Sequence, residues 1–119
     1  MVKINLKNKV IPVDFGEFQL EFSKSDENLR RLKEFGDELK QKGELIAQNQ
    51  SKDETEQVKE ILSVAFDGVF GAGSFDKVYD LSGQSTIDTL NYFFEVMVGI
   101  EEESVTEKDK ERMKRYIGK

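Results

Sequence analysis

The sequence predicts an α+β fold: a small N-terminal antiparallel β meander of about three strands packed against four to five α-helices. Three observations carry that expectation. Apolar and polar residues alternate through residues 2–22, the period of a half-buried strand. From residue 23 onward apolar residues recur three and four positions apart, the period of a helix with one buried face. Serines followed three positions later by an acid, and glycines after the last apolar residue, punctuate that second region at helix spacing.

Val2, Ile4 and Leu6 make the first alternating run, Val10, Ile11 and Val13 the second, and Phe18, Leu20 and Phe22 the third, after Gly16. Pro12 has no N–H to give a ladder, so its segment belongs at a sheet edge or beside a turn. Three short strands need helices over their apolar face to be stable. Ser23 with Asp26 opens the first helix, whose stripe of Leu29, Leu32, Phe35 and Leu39 runs to Gly43. Residues 44–50 read either as its continuation or as a loop. Ser51 with Glu54 opens the second helix, where Val58, Ile61, Leu62, Ala65, Phe66 and Val69 keep the i, i+3, i+4 rule. Residues 74–81 form a short third helix, capped by Ser74 and ended before Gly83. Ser85 with Asp88 opens the fourth, and Ile87, Leu90, Phe93, Phe94, Met97 and Val98 give it a broad core face.

Residues 1–103 make one domain. Residues 104–119 form a last, charge-laced helix opened by Ser104 and Glu107, with Met113, Tyr116 and Ile117 as its large apolar residues. Between Glu101 and Lys119 stand six acids and six bases, with the acids gathered at the start and the bases at the end, in accord with the helix dipole. It reads as a solvated helix or as an arm that docks on a partner or on a second copy.

A chain of 119 residues supports one core. The lack of cysteine removes disulfides, thiolate metal sites and a cysteine nucleophile. The lack of histidine removes the usual acid/base group near neutral pH and the commonest nitrogen ligand of zinc. A net charge of −6 disfavours nucleic acid and anionic membrane surfaces as partners. No apolar run approaches the ~20 residues of a membrane span, and the start lacks the apolar core of a signal peptide. The expectation is a soluble, unprocessed, cytoplasmic protein that is not an enzyme and carries no metal or cofactor.

The stretch "GAGSFD" at 71–76 tests that expectation. A dinucleotide fingerprint needs a third glycine where Asp76 stands, and a strand before it where the pattern is helical. A phosphate loop needs Gly-Lys-Ser/Thr, which does not follow. Gly71 and Gly73 therefore mark a helix stop and restart, a hinge. A calcium loop built around Gly83 puts Val78 and Thr89 where carboxylates are required. Glu101, Glu102 and Glu103 read as a solvated face, and the bases Lys24, Arg30, Arg31 and Lys33 are diluted by Glu27, Glu34 and Asp37. Nine phenylalanines exceed what so polar a chain would scatter. Of these, Phe15, Phe70 and Phe75 stand beside glycines at element ends, where they can line an apolar contact patch.

The stretch 61–79, "ILSVAFDGVFGAGSFDKVY", together with "STIDTLNYFFEVMVGIEEE" at 85–103, resembles small tail proteins of long-tailed bacteriophages and of prophages of Gram-positive bacteria. The shared pattern is a helix ending in Asp-x-x-Phe-Gly-x-Gly, carried here by Asp67, Phe70, Gly71 and Gly73. A short helix with an aromatic and a lysine follows, Phe75 and Lys77, and then a Leu- and Phe-rich helix ending in acids. The resemblance implies a tail assembly chaperone, made in the cytoplasm of the bacterial host, that coats the hydrophobic tape measure protein and passes it to tail tube subunits. It implies no catalytic residue. The alternative is a structural tail or head–tail joining component retained in the virion, and self-association fits either. On the chaperone reading, an apolar groove near Phe66, Phe70, Phe75 and Phe94, with Gly71 and Gly73 beside it, binds helical client segments.

Overall fold

The computed structural model describes residues 1–4, 9–49, 52–104, 110–111 and 113–118. It is an α+β fold with strands β1 (Val10–Asp14) and β2 (Gln19–Ser23), followed by helices α1 (Asp26–Asn49), α2 (Lys52–Phe70), α3 (Ser74–Leu81) and α4 (Thr86–Ser104). A π-helical turn spans Lys114–Gly118. The strands pair antiparallel with Ile11 opposite Phe22 and Val13 opposite Leu20, so one face of the hairpin is apolar. The connection is tight: Phe15 N–H donates to Phe18 O at 2.9 Å, and Gly16 takes φ +90°. Glycine at the first central position is what a two-residue hairpin loop with a left-handed start demands. Pro12, in a strand of a two-stranded sheet, is at an edge as expected.

The sheet has two strands rather than three. Residues 1–4 take no part in it, and Val2 and Ile4 are exposed; Leu6 lies outside the described residues. The hairpin's apolar face is already covered, β2 by α2 and β1 by α4. Alternation alone announces a two-sided environment, and Val2 and Ile4 are not packed into one.

Helix α1 opens at Ser25, two residues past the predicted Ser23, because Ser25 Oγ accepts the Asn28 N–H at 3.1 Å. Ser23 instead ends β2, and its carbonyl accepts from Asn28 Nδ2 at 3.1 Å. The same amide group donates to Val69 O at 3.2 Å. One buried side chain thus joins β2, the start of α1 and the end of α2. α1 then runs straight through Gly43 to Asn49, so of the two readings of the residues after Gly43 the continuation holds. A methyl at Gly36 would collide with Met97 Sδ, and one at Gly43 would sit 3.2 Å from Leu90 Cδ2. Both glycines lie on the face that α4 crosses, seven residues apart, so their missing side chains let two helix backbones approach. The loss in helix propensity, about 1 kcal/mol per glycine, is offset by that close packing.

Helix α2 matches its predicted stripe, with Val58, Leu62, Ala65, Phe66 and Val69 buried; Ser51, its predicted cap, lies outside the described residues. α3 ends in a Schellman arrangement: Gly83 N–H donates to Asp80 O at 3.0 Å and Gln84 N–H to Tyr79 O at 2.9 Å, with both residues at positive φ. α4 opens as predicted, Ser85 Oγ accepting the Asp88 N–H at 3.1 Å. Of the predicted box, Ser104 is the last residue of α4 and Glu107 lies outside the described residues. The core is a single cluster in which Phe22, Leu32, Leu39, Phe66 and Phe93 are sealed from solvent. No helix among the described residues is long and apolar enough to cross a membrane.

Two outcomes test this packing. Asn28→Ala strands the carbonyls of Ser23 and Val69 and should lower unfolding free energy by about 2 kcal/mol in chemical denaturation. Gly36→Leu should cost a similar amount, roughly 2 kcal/mol, through overpacking against Met97, and Met97→Ala in the same chain should recover part of it.

Candidate functional site

The corner between α2 and α3 is built from the residues of the glycine stretch. Gly71 and Gly73 take φ +112° and +87°, angles that a β-carbon opposes. Ser74, predicted to cap α3, is instead its first helical residue and is buried; Gly73 holds the cap position with no side chain to offer. The missing acceptor comes from the preceding helix. Asp67 Oδ1 accepts the Phe75 N–H at 3.0 Å, so a carboxylate near the end of α2 satisfies an open donor at the start of α3. An acid near a helix C-terminus is ordinarily unfavourable, and one at a helix N-terminus favourable. The sharp corner puts Asp67 in both places at once.

The predicted contact residues do not share one surface. Phe66 is fully buried, its ring 5.3 Å from Phe93 and 6.0 Å from Phe70. Phe70 is half-buried and meets Phe22 edge-on at 6.0 Å. Phe75 is only 5% exposed and stacks on Tyr79 at 5.2 Å, and Lys59 Nζ lies 4.7 Å from that tyrosine ring's centre. A negative charge at position 75 would therefore enter the core, where it unfolds the chain rather than probing a surface. Phe15 and Phe18, stacked at 5.1 Å, brace the hairpin loop. The rings of Phe22, Phe70, Phe66, Phe93 and Phe94 instead form one continuous row through the domain, each pair contributing ~1 kcal/mol beyond area burial.

At the end of that row, half-buried Phe94 emerges into a groove between α1 and α4 of about 410 Å³, with Ile46, Ala47, Ile87 and Leu90 around it. Lys40, Glu44 and Asn91 border it. Ile87, expected in the core face of α4, is 45% exposed there. α4 buries Thr86, Thr89, Val96 and Ile100 in addition to Leu90, Phe93 and Met97, so its apolar girth is wider than the core it serves. Thr89 is sealed without cost, since its hydroxyl donates to Ser85 O at 2.8 Å.

A second groove, about 600 Å³, lies between β1 and α4. Ile11, Val13, Val96 and Ile100 supply its apolar wall, and Asp14, Glu95 and Glu103 its charge. Sequence reading places these residues in separate elements, and only the crossing of strand and helix brings them together. Among the described residues, no group of three or more carboxylates is arranged to hold a metal ion.

Removing the Asp67 acceptor should loosen α3 before the rest of the domain. Asp67→Ala should cost about 1 kcal/mol and speed amide exchange across residues 75–81 relative to α2, while Asp67→Asn, which keeps an acceptor oxygen, should restore most of the protection. Compared with protein-family models, curated proteins and solved structures, the chain matches none.

Proposed function

We propose that this protein is a non-enzymatic tail assembly chaperone of a long-tailed bacteriophage or prophage, acting in the bacterial host's cytoplasm on the hydrophobic tape measure protein before tail tube subunits take it over. The observation that carries this reading is the groove between α1 and α4. It is apolar at its centre through Ile46, Ile87, Leu90 and Phe94, and polar at its border through Lys40, Glu44 and Asn91. That is the layout by which a helix-binding groove excludes water at the middle and stays wetted at the edge. Its volume of about 410 Å³ suits a few large side chains spaced i, i+3 or i+4 along a client helix, at the low end of sites that enclose a ligand.

The rest of the chain fits that task. Gly43 lies along the groove and lets Leu90 of α4 pack close to the α1 backbone, which sets how deep the groove is. A net charge of −6 keeps a loaded complex apart from its neighbours by repulsion. Phe94 is held from behind by Phe93, 6.4 Å away ring to ring, which gives the groove a rigid floor and limits the entropy lost on binding.

Co-expression with the tape measure protein, followed by affinity capture and mass determination, tests the proposal. The wild-type chain should keep the client soluble and leave with it. Ile87→Asp combined with Phe94→Ser should reduce capture at least about tenfold, the effect of ~1.4 kcal/mol, with the circular dichroism of the free chain unchanged. Undiminished capture by the double variant, or recovery of the chain at fixed copy number from purified virions, would overturn the reading in favour of a structural component.

A further inference from the structure

We propose that the groove between β1 and α4 receives the basic C-terminal turn of a second copy of this chain, so that two copies exchange tails. The proposal is independent of the client groove and rests on a match between two surfaces. The first is acidic: among the described residues Asp14, Glu95 and Glu103 line the groove and no lysine or arginine does, over a wall of Ile11, Val96 and Ile100. Asp14 uses one oxygen to accept the Gly16 N–H at 2.7 Å. Among the described residues, Glu95 and Glu103 are in no ion pair.

The second surface is the turn Lys114–Gly118 with Met113 before it. Tyr116 and Ile117 are 81% and 80% exposed and Met113 51%, an arrangement that leaves two large apolar side chains in water beside Lys114 and Arg115. Neither base is in an ion pair among the described residues. Tyr116 and Ile117 can fill the apolar wall while Lys114 and Arg115 meet Glu95 and Glu103, and each surface supplies what the other lacks.

Within one chain Tyr116 and Ile117 stay 81% and 80% exposed and do not line the groove, so the occupant is taken from a second copy. Because groove and tail are both on every copy, a two-fold pairing fills both grooves at once.

Sedimentation of the full chain tests this. Wild type should be a dimer that weakens between about 0.1 M and about 1 M salt, as screened ion pairs do. Glu95→Lys with Glu103→Lys, and separately Lys114→Glu with Arg115→Glu, should each weaken self-association at least about tenfold. Mixing the two variants should restore a dimer, because each then carries the complement of the other. Tyr116→Ser with Ile117→Ser should abolish association without adding charge. A chain monomeric at every concentration, a dimer indifferent to all three variants, or variants that fail to rescue each other on mixing would overturn the proposal. All the altered residues are exposed, so unfolding does not confound the result.

Discussion

The last turn of α2 is where the fold is tied together. A helix end leaves carbonyls without intrahelical partners, and here each nearby group is used by a different element. Val69 O accepts from Asn28 at the start of α1, and Asp67 Oδ1 accepts from Phe75 at the start of α3. Gly71 N–H closes the final turn on Asp67 O at 3.0 Å. Through Asn28 the same point reaches Ser23 at the end of β2. The hairpin, the first helix and the third are therefore indexed to one place on the second.

Packing follows from that indexing. With β2 and the end of α2 fixed to each other, Phe22 meets Phe70, and the row continues through Phe66 and Phe93 to Phe94. Aromatic rings bury more area per residue than aliphatic ones, which is how a chain with 35% charged residues assembles a sealed core. Gly36 and Gly43 set the other dimension by letting α1 lie close to α4. α4 is thereby held on two sides, by α1 and by β1, and the spaces left between unequal partners are the two grooves.

Much of this was legible in the residues. The period of α2, the Ser85 cap and the Gly83 stop are local signals, and local signals survive folding because the groups that answer them are a few residues away. The failures share the opposite property. Gly43 leaves a stop and a continuation both open until Leu90, far along the chain, shows why a side chain is missing there. Ser74 reads as a cap until Asp67 takes that role across the corner. Val2 and Ile4 alternate like a strand, but residues 1–4 pair with neither strand of the hairpin and both side chains stay exposed. Phe75 sits beside glycines like a surface residue, yet the corner those glycines make turns it inward against Tyr79. As for the grooves, Phe94 could be singled out by its type, but the carboxylates around the β1–α4 groove converge only through tertiary contact.

The stretch that reads as a hinge stops α2 and restarts α3 around a hydrogen-bonded corner, and that bears on how such a protein can act. A joint that moves needs its hydrogen bonds to be few and exposed. This one has a side-chain acceptor on the first turn of α3, an amide clamp on the last turn of α2, and two glycines already in the left-handed conformation the bend requires. Glycine there makes the bend accessible; the bonds around it brace the bend. The open surfaces of the molecule are then those on either flank of α4, one neutral and apolar, the other apolar with an acidic border. A rigid frame holding two unlike grooves on one helix can engage two unlike partners without changing shape, because their occupants touch different faces of that helix and are selected by different chemistry.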